Sequence, residues 1–333
     1  MKLENIGFYT LSDERAKNTS ETSPMQRCEM LVTGRCNFVC PYCRGFSNIN
    51  SPSPCGDINF DLAQEGLGYW IDDGLKNVRF SGGEPTLYKR LPDLIRQCKE
   101  GFVERIAISS NGSREFDVYD ELIESGVNDF SISLDACCAS FGDKMAGVKG
   151  KWGTVTANIR KISERTYVTV GVVLTQDNVG ELVEIVKFAH DLGVADIRII
   201  SAAQFNELLF ESIKIPDYIL DAHPILKYRV NHIKAGVNVR GMNKFDCKKC
   251  HIAKDDSVIV GNDTKAWHFP CVIALREGMK PIGEVSPNMR RERIEWLERF
   301  NTYESDICRN NCLDCIVLYN NKVEEYGRFK NHE

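Results

Sequence analysis

The chain has 333 residues, 43% of them apolar and 27% charged, with a formal net charge of −5. These proportions suit one large globular domain with a smaller appendage, and the mild acidity carries no global nucleic-acid signature. No run of about 18 apolar residues occurs, so no membrane-spanning helix is expected, and the opening MKLENIGFYT lacks the basic start and apolar core of a secretory signal. The expectation is a cytoplasmic protein with no membrane partner and with reduced thiols.

In chain order, residues 1–27 read as a polar N-terminal extension with a short strand at Ile6–Thr10. Short β-branched runs then alternate with longer helical stretches. The predicted strands are Glu29–Thr33, Asn77–Ser81, Arg105–Ser109, Asp129–Leu134, Tyr167–Leu174 and Asp196–Ile200. The predicted helices are Asp61–Asp73, Leu91–Lys99, Glu115–Glu124, Thr154–Ser163 and Val179–Leu192. Gly74, Gly126 and Gly193 stand where helices should stop. Six β/α units in a row imply a parallel sheet with right-handed crossovers. No seventh or eighth unit is visible, so the fold class is α/β, a partial (β/α)6 barrel over residues 28–203. A linker or bridging region over 204–240 follows. Residues 241–333 form a small C-terminal cysteine-rich module with an amphipathic helix at Arg290–Phe300.

Fourteen cysteines are many for a reducing compartment, so the grouped ones read as metal or cluster ligands. Cys28 and Cys98 read as small buried hydrophobes. Cys36-Asn-Phe-Val-Cys40-Pro-Tyr-Cys43 follows the first strand, where working residues of a parallel barrel collect. Three thiolates on one tight loop can hold three corners of a cubane and leave one iron open. A zinc knuckle is the alternative; it wants a fourth ligand, which only Cys55 could supply nearby. After the second strand comes Gly82-Gly83-Glu84-Pro85, after the third Ser109-Ser110-Asn111-Gly112, and at the end of the fourth Ser131-Ile132-Ser133-Leu134-Asp135.

This combination resembles the radical S-adenosylmethionine (radical SAM) superfamily. CX3CX2C with an aromatic residue, Tyr42, before the third cysteine is similar to the family's cluster loop. Gly82-Gly83-Glu84-Pro85 looks like its GGEP motif, which meets the methionyl amino group of SAM. The resemblance implies a [4Fe–4S] cluster on Cys36, Cys40 and Cys43, and SAM contacts from Tyr42, Gly82, Gly83, Glu84, Pro85, Ser110, Asn111, Ser133 and Asp135. It further implies an electron donor such as flavodoxin or ferredoxin. The implied chemistry is reductive cleavage of SAM to a 5′-deoxyadenosyl radical that takes a hydrogen atom from a substrate.

Cys247-Lys-Lys-Cys250, then Cys271, resembles the auxiliary-cluster region of MoaA-like and SPASM/twitch enzymes, with a hairpin of Ser257–Val260 and Trp267–Phe269 between the pair and the third cysteine. Cys308-X3-Cys312-X2-Cys315 is similar to the terminal cysteines of SPASM domains. One or two auxiliary Fe–S clusters are implied: one taking four of the six cysteines, or two taking three each. A zinc site is the alternative by spacing. A MoaA identity is disfavoured, because the chain ends Phe329-Lys-Asn-His-Glu333 and lacks that family's Gly-Gly tail.

For the substrate, a peptide or protein residue and an anionic, nucleotide-like small molecule both remain open. Eight Lys/Arg against Asp246 between Lys227 and Lys254 could draw an anion, compensate a thiolate-bound cluster or form a solvated face. Cys137 and Cys138 directly follow Asp135 near the expected barrel mouth, where a thiol could return a hydrogen atom to a substrate radical; packing is the plainer reading. The reading of another class is a non-catalytic, regulatory zinc or Fe–S protein on a barrel scaffold.

Overall fold

The computed structural model describes residues 13–43, 56–202 and 214–330. The expected strand Ile6–Thr10 and Cys55 lie outside them. The six expected strands form as β1 (Arg27–Thr33), β2 (Asn77–Gly82), β3 (Arg105–Ser110), β4 (Asp129–Ser133), β5 (Tyr167–Leu174) and β6 (Asp196–Ser201). They lie side by side in sequence order, every neighbouring pair parallel.

Alternation decides which face meets the helices. Cys28 and Met30 of β1, Val78 and Phe80 of β2, Ile106 and Ile108 of β3 and Phe130 and Ile132 of β4 enter one apolar core together with Leu67 and Trp70 of helix Phe60–Asp72. Cys28 and Cys98 are fully buried in that core. The opposite face is polar: Ser81 donates to Glu29 at 2.6 Å, and Ser131 and Asp129 are buried there. A parallel sheet with an apolar outside and a polar inside is a barrel wall that leaves room for a polar ligand.

Helices Phe60–Asp72, Leu91–Glu100, Phe116–Ser125, Trp152–Ser163 and Leu182–Asp191 cover the outside. Asn59 caps the first through Asp61 N and Leu62 N. The stop glycines Gly74, Gly126 and Gly193 all have positive φ. Helix Ala139–Ala146, which the pattern does not announce, follows β4. In the bridging region Pro224 opens helix Pro224–Lys234, the position where a missing N–H costs nothing.

The expected hairpin forms as β7 (Asp256–Gly261) and β8 (Ala266–Phe269), with a short β9 (Gly283–Glu284) beside it. It does not stand apart from the barrel. β7 pairs in parallel with β1, from Arg27 opposite Asp256 to Leu31 opposite Val260, so nine strands form one sheet. Arg27 and Asp256 form an ion pair on the first rung. Arg293, fully buried on helix Met289–Arg299, donates to the carbonyls of Ala253 at 2.8 Å and Phe269 at 2.9 Å, and to that of Asp256. One guanidinium thereby fixes the base of the hairpin. Helix Asp314–Lys330 closes the chain and packs on helix Asp13–Asn18; Tyr319 and Arg15 both bond the buried Asp255. No helix of the described residues is long and apolar enough to cross a membrane.

Candidate active site and cysteine pocket

The loop after β1 carries Cys36, Cys40 and Cys43 away from the C-terminal end of the strand. It turns tightly, Cys43 N donating to Cys40 O at 2.9 Å, while Phe38 N donates to the Cys36 sulfur at 3.4 Å. Val39 N reaches Ala146 O at 3.0 Å, so the unannounced helix Ala139–Ala146 braces the loop from outside. Gly147, at φ 66°, ends that helix against the Val39 carbonyl, where any side chain would collide. Burial raises the Cys36 thiol and pushes Cys40 up to about 12. Half-buried thiols so placed are poor thiolates alone and become ligands when a cation replaces the proton.

The glycine pair at the end of β2 lets its loop meet the cluster loop. Gly83 N donates to Thr33 O and Glu84 N to Arg35 O, both at 2.8 Å, which extends the β1–β2 pairing into the cluster loop. A Cβ on Gly82 would strike Thr33 O, and one on Gly83 would strike Arg35 O. The two glycines let the two loops touch along their backbones.

Glu84 is fully buried. One carboxylate oxygen accepts from Thr86 N at 3.2 Å, Thr86 Oγ1 at 2.7 Å and Ser110 Oγ at 2.9 Å; the other accepts from Asn111 N at 2.7 Å. Burial still raises its pKa against those bonds. Glu84 thus ties the loop after β2 to the loop after β3. Pro85 opens the short 3₁₀ turn Pro85–Leu87 that places Thr86. Asn111 in turn donates to Asn37 Oδ1 at 2.8 Å and approaches the Cys36 sulfur at 3.9 Å.

On the far side, Tyr42 donates to Asp135, whose other oxygen accepts from Val173 N at 2.7 Å. Burial raises Asp135 to about 6. Ser133 ends β4 exposed on the inner face, opposite Gly171 of β5. The structure therefore joins Cys36, Cys40, Tyr42, Gly82, Gly83, Glu84, Ser110, Asn111 and Asp135 through one bonded set of loops at the barrel mouth. Cys137 is half-buried and Cys138 exposed, its sulfur 3.7 Å from Ser140 Oγ. Sequence reasoning missed Asn37, Thr86 and Asn178. Asn37 lies inside the cysteine motif and could have been singled out; buried Asn178, which bonds Asp135 O at 3.2 Å, has no local signal.

The C-terminal cysteines divide. Cys250 precedes β7 and Cys271 follows β8, at the end of the sheet where Arg27 lies. With Cys308 and Cys312 they line one enclosed apolar pocket, together with Pro270, Ile273, Met279 and Trp296. Burial raises all four thiols; the negative charge of Cys271 and Cys308 raises Cys250 further, that of Cys308 raises Cys271, and that of Cys250, Cys271 and Cys308 raises Cys312. Four cysteines around one pocket, Cys250 buried and the other three half-buried, supply the donor number and type of a [4Fe–4S] cluster or a zinc site. Cys247 and Cys315 do not line the pocket: Cys247 hydrogen-bonds Glu324, and Cys315 lies near Asp314, Arg229 and Arg27. The basic stretch is not a single face either. Arg229 is buried against Asp314 at 2.6 Å, Arg240 is buried beside Ser201 O, and Lys227 pairs with Asp221.

Comparison with known proteins agrees with this geometry. Residues 30–189 match the family described as the Radical SAM superfamily. A probable GTP 3′,8-cyclase of Metallosphaera sedula is 27% identical over 183 residues, 53% of this chain and 56% of that protein. The GTP 3′,8-cyclase of Brucella canis is 25% identical over 189 residues, 54% of this chain and 53% of its own. The chain thus spans about half the length of the curated relatives it matches. Among solved structures, anSMEcpe with bound AdoMet has a TM-score of 0.59 at 14% identity, over 93% of this chain and 95% of that one. SuiB of Streptococcus suis bound to precursor peptide SuiA has a TM-score of 0.56 at 15% identity, over 80% of this chain and 63% of that one. These two likenesses concern the fold, a largely parallel α/β sheet left open as a partial barrel. Residues 30–189 form a domain of the radical SAM superfamily.

Proposed function

We propose that this protein is a radical SAM enzyme in which Cys36, Cys40 and Cys43 hold a [4Fe–4S] cluster and the loops after β2, β3 and β4 hold SAM beside it. The observation that carries the reading is the bonded mouth. Gly83 and Glu84 pair with Thr33 and Arg35 on the cluster loop, and Asn111 bridges Glu84 to Asn37. A loop with three thiols is thereby locked to a glycine-lined loop at the end of the sheet where parallel barrels work. When bound, the cluster supplies one electron for reductive cleavage of SAM, and the resulting 5′-deoxyadenosyl radical abstracts a substrate hydrogen.

The chain's own residues would bind and orient. Gly82 and Gly83 leave backbone polar groups open to the methionyl end. Asn111 and Ser133 offer polar side chains along the rim, and Asp135, through Tyr42, ties the cluster loop to the end of β4. The polar inner wall takes the substrate. The pocket of Cys250, Cys271, Cys308 and Cys312 is the proposed site of an auxiliary Fe–S cluster, which favours one four-cysteine cluster over two of three. That pocket flanks the Arg27 end of β1, whereas the cluster loop leaves from Thr33. Seven residues of strand separate the two ends, roughly 20 Å. This placement suits electron transfer or structural support better than contact with a substrate at the mouth. A peptide substrate is favoured over a nucleotide-like one, because two of the basic stretch's arginines are buried in internal contacts. SuiB, whose fold is shared, is described as bound to a precursor peptide.

The test is release of 5′-deoxyadenosine by the reduced, anaerobically reconstituted protein given SAM and host extract split into peptide, small-molecule and nucleic-acid pools. Stimulation by the peptide pool, abolished in Cys40→Ala, is expected. Equal release by wild type and Cys40→Ala with every pool would overturn the enzyme reading in favour of a non-catalytic metal protein.

A further inference from the structure

Cys247 stands outside the four-cysteine pocket but not among inert neighbours. Its thiol, a ring nitrogen of His251 and a carboxylate oxygen of Glu324 all lie within 4.8 Å of one another. His251 Nε2 is 2.9 Å from Glu324 Oε1, and the Cys247 thiol hydrogen-bonds the same carboxylate. His251 is buried, and its other ring nitrogen, Nδ1, is buried with no hydrogen-bond partner.

The three donors are held from two directions. Cys247 and His251 come from the turn that leads into the 3₁₀ helix His251–Lys254, four residues apart. Glu324 comes from helix Asp314–Lys330, which also presents Asn321 and Asn320. Asn321 accepts from Cys247 N at 2.7 Å and Asn320 accepts from Ile252 N at 3.3 Å. Lys249 N bonds the Cys247 sulfur at 3.3 Å. These bonds fix the ligand-bearing backbone, as outer-shell partners do at metal sites.

From this we propose that Cys247, His251 and Glu324 form a mononuclear zinc site, separate from the iron–sulfur ligands and independent of the proposed radical chemistry. Sulfur, imidazole nitrogen and carboxylate oxygen are the donor types zinc takes, and three protein ligands leave the fourth position for water. Zinc displaces the thiol proton to solvent, and the thiolate and carboxylate then neutralise the ion. A neutral unit tolerates Lys249 and Lys254 beside His251 and Arg328 beside Glu324. The site clips the turn that delivers Cys250 to its pocket onto the C-terminal helix.

The experiment is metal analysis of the full chain, purified anaerobically with its clusters and passed over a chelating resin. Wild type, Cys247→Ser, His251→Ala and Glu324→Gln are compared for zinc and iron, with zinc K-edge absorption on wild type. The expected result is about one zinc per chain with one sulfur and two nitrogen or oxygen protein ligands. Zinc should fall at least about fivefold in each variant with iron unchanged. Because His251→Ala and Glu324→Gln spare every cysteine, they serve even if Cys247→Ser fails to fold. Wild type without zinc overturns the proposal, and so does iron loss in His251→Ala, which would make these residues cluster ligands. A zinc shell of four sulfurs overturns it too, and separately counts against iron in the cysteine pocket.

Discussion

Replacing Glu84 with glutamine keeps the size of the side chain and removes part of its capacity to accept. The carboxylate takes three bonds on one oxygen, from Thr86 N, Thr86 Oγ1 and Ser110 Oγ, and one on the other, from Asn111 N. The best glutamine orientation keeps its carbonyl toward Thr86 and Ser110. Its amide nitrogen then faces the Asn111 N–H, donor against donor, in a fully buried site. A lost bond to a charged acceptor is worth about 1.5–3 kcal/mol, and the stranded donor adds to that, so a loss of about 3 kcal/mol is expected. With 333 residues at about 2.1 cal/mol/K each, the unfolding entropy is about 0.7 kcal/mol/K, which converts the loss to a Tm about 4 °C lower. Differential scanning fluorimetry of the metal-free protein, under argon, measures this without interference from cluster loss. A Tm within about 1 °C of wild type would refute the reasoning and mean that Glu84 does not tie the loops. Glu84→Ala should fall further, since it strands all four donors.

Four other outcomes are expected. Asp196, buried and bonded to Ile197 N and Ile225 N, has its pKa raised by burial to about 6 from 3.8. Because the folded value is the higher, its contribution favours folding below about pH 4 and is lost as pH rises through about 6. Asp196→Asn should therefore flatten the stability profile over that window by roughly 3 kcal/mol, read by urea unfolding. Arg293→Met, which strips the three carbonyls at the hairpin base of their donor, should cost about 3 kcal/mol or more and show as early proteolysis of 256–284; an unchanged digestion pattern would remove its structural role. Cys312→Ala should cost the reconstituted protein about half its iron, whereas Cys315→Ala should keep it; equal losses would redraw the pocket. Finally, Cys137→Ala and Cys138→Ala, made separately, test hydrogen return to a substrate radical: unchanged product and turnover in both would leave these thiols as packing.

The barrel was legible because buried parallel strands are near-continuous apolar runs with glycines at the helix ends. Tyr167–Leu174 coincides with β5, and the other five barrel strands agree at their edges within two residues. Helix Ala139–Ala146 was not legible, because Met145 is its one buried residue and no apolar stripe marks it. The C-terminal helix was hidden for another reason. Cys315 lies in its first turn and reads with Cys308 and Cys312 as a cluster motif, with no helix assigned to the residues that follow. Motifs located the mouth but not its wiring. That Glu84 is held by Thr86, Ser110 and Asn111 depends on three loops meeting in space, and spacing along the chain does not encode it. The division of the six late cysteines is likewise set by which of them face the space beneath β7 and β8.

β7 lies against β1 along five rungs, and this bears on any attempt to dissect the protein. A fragment ending before Asp256 would contain every cysteine of the cluster loop and every barrel strand, yet β1 would become an outer strand. Its free N–H and C=O groups would face water beside Leu31, and Arg27 would lose Asp256. Such an edge invites pairing with another chain. The cysteine-rich end of the molecule is thus also the cover of that edge, and a truncated barrel should be sought in the insoluble fraction.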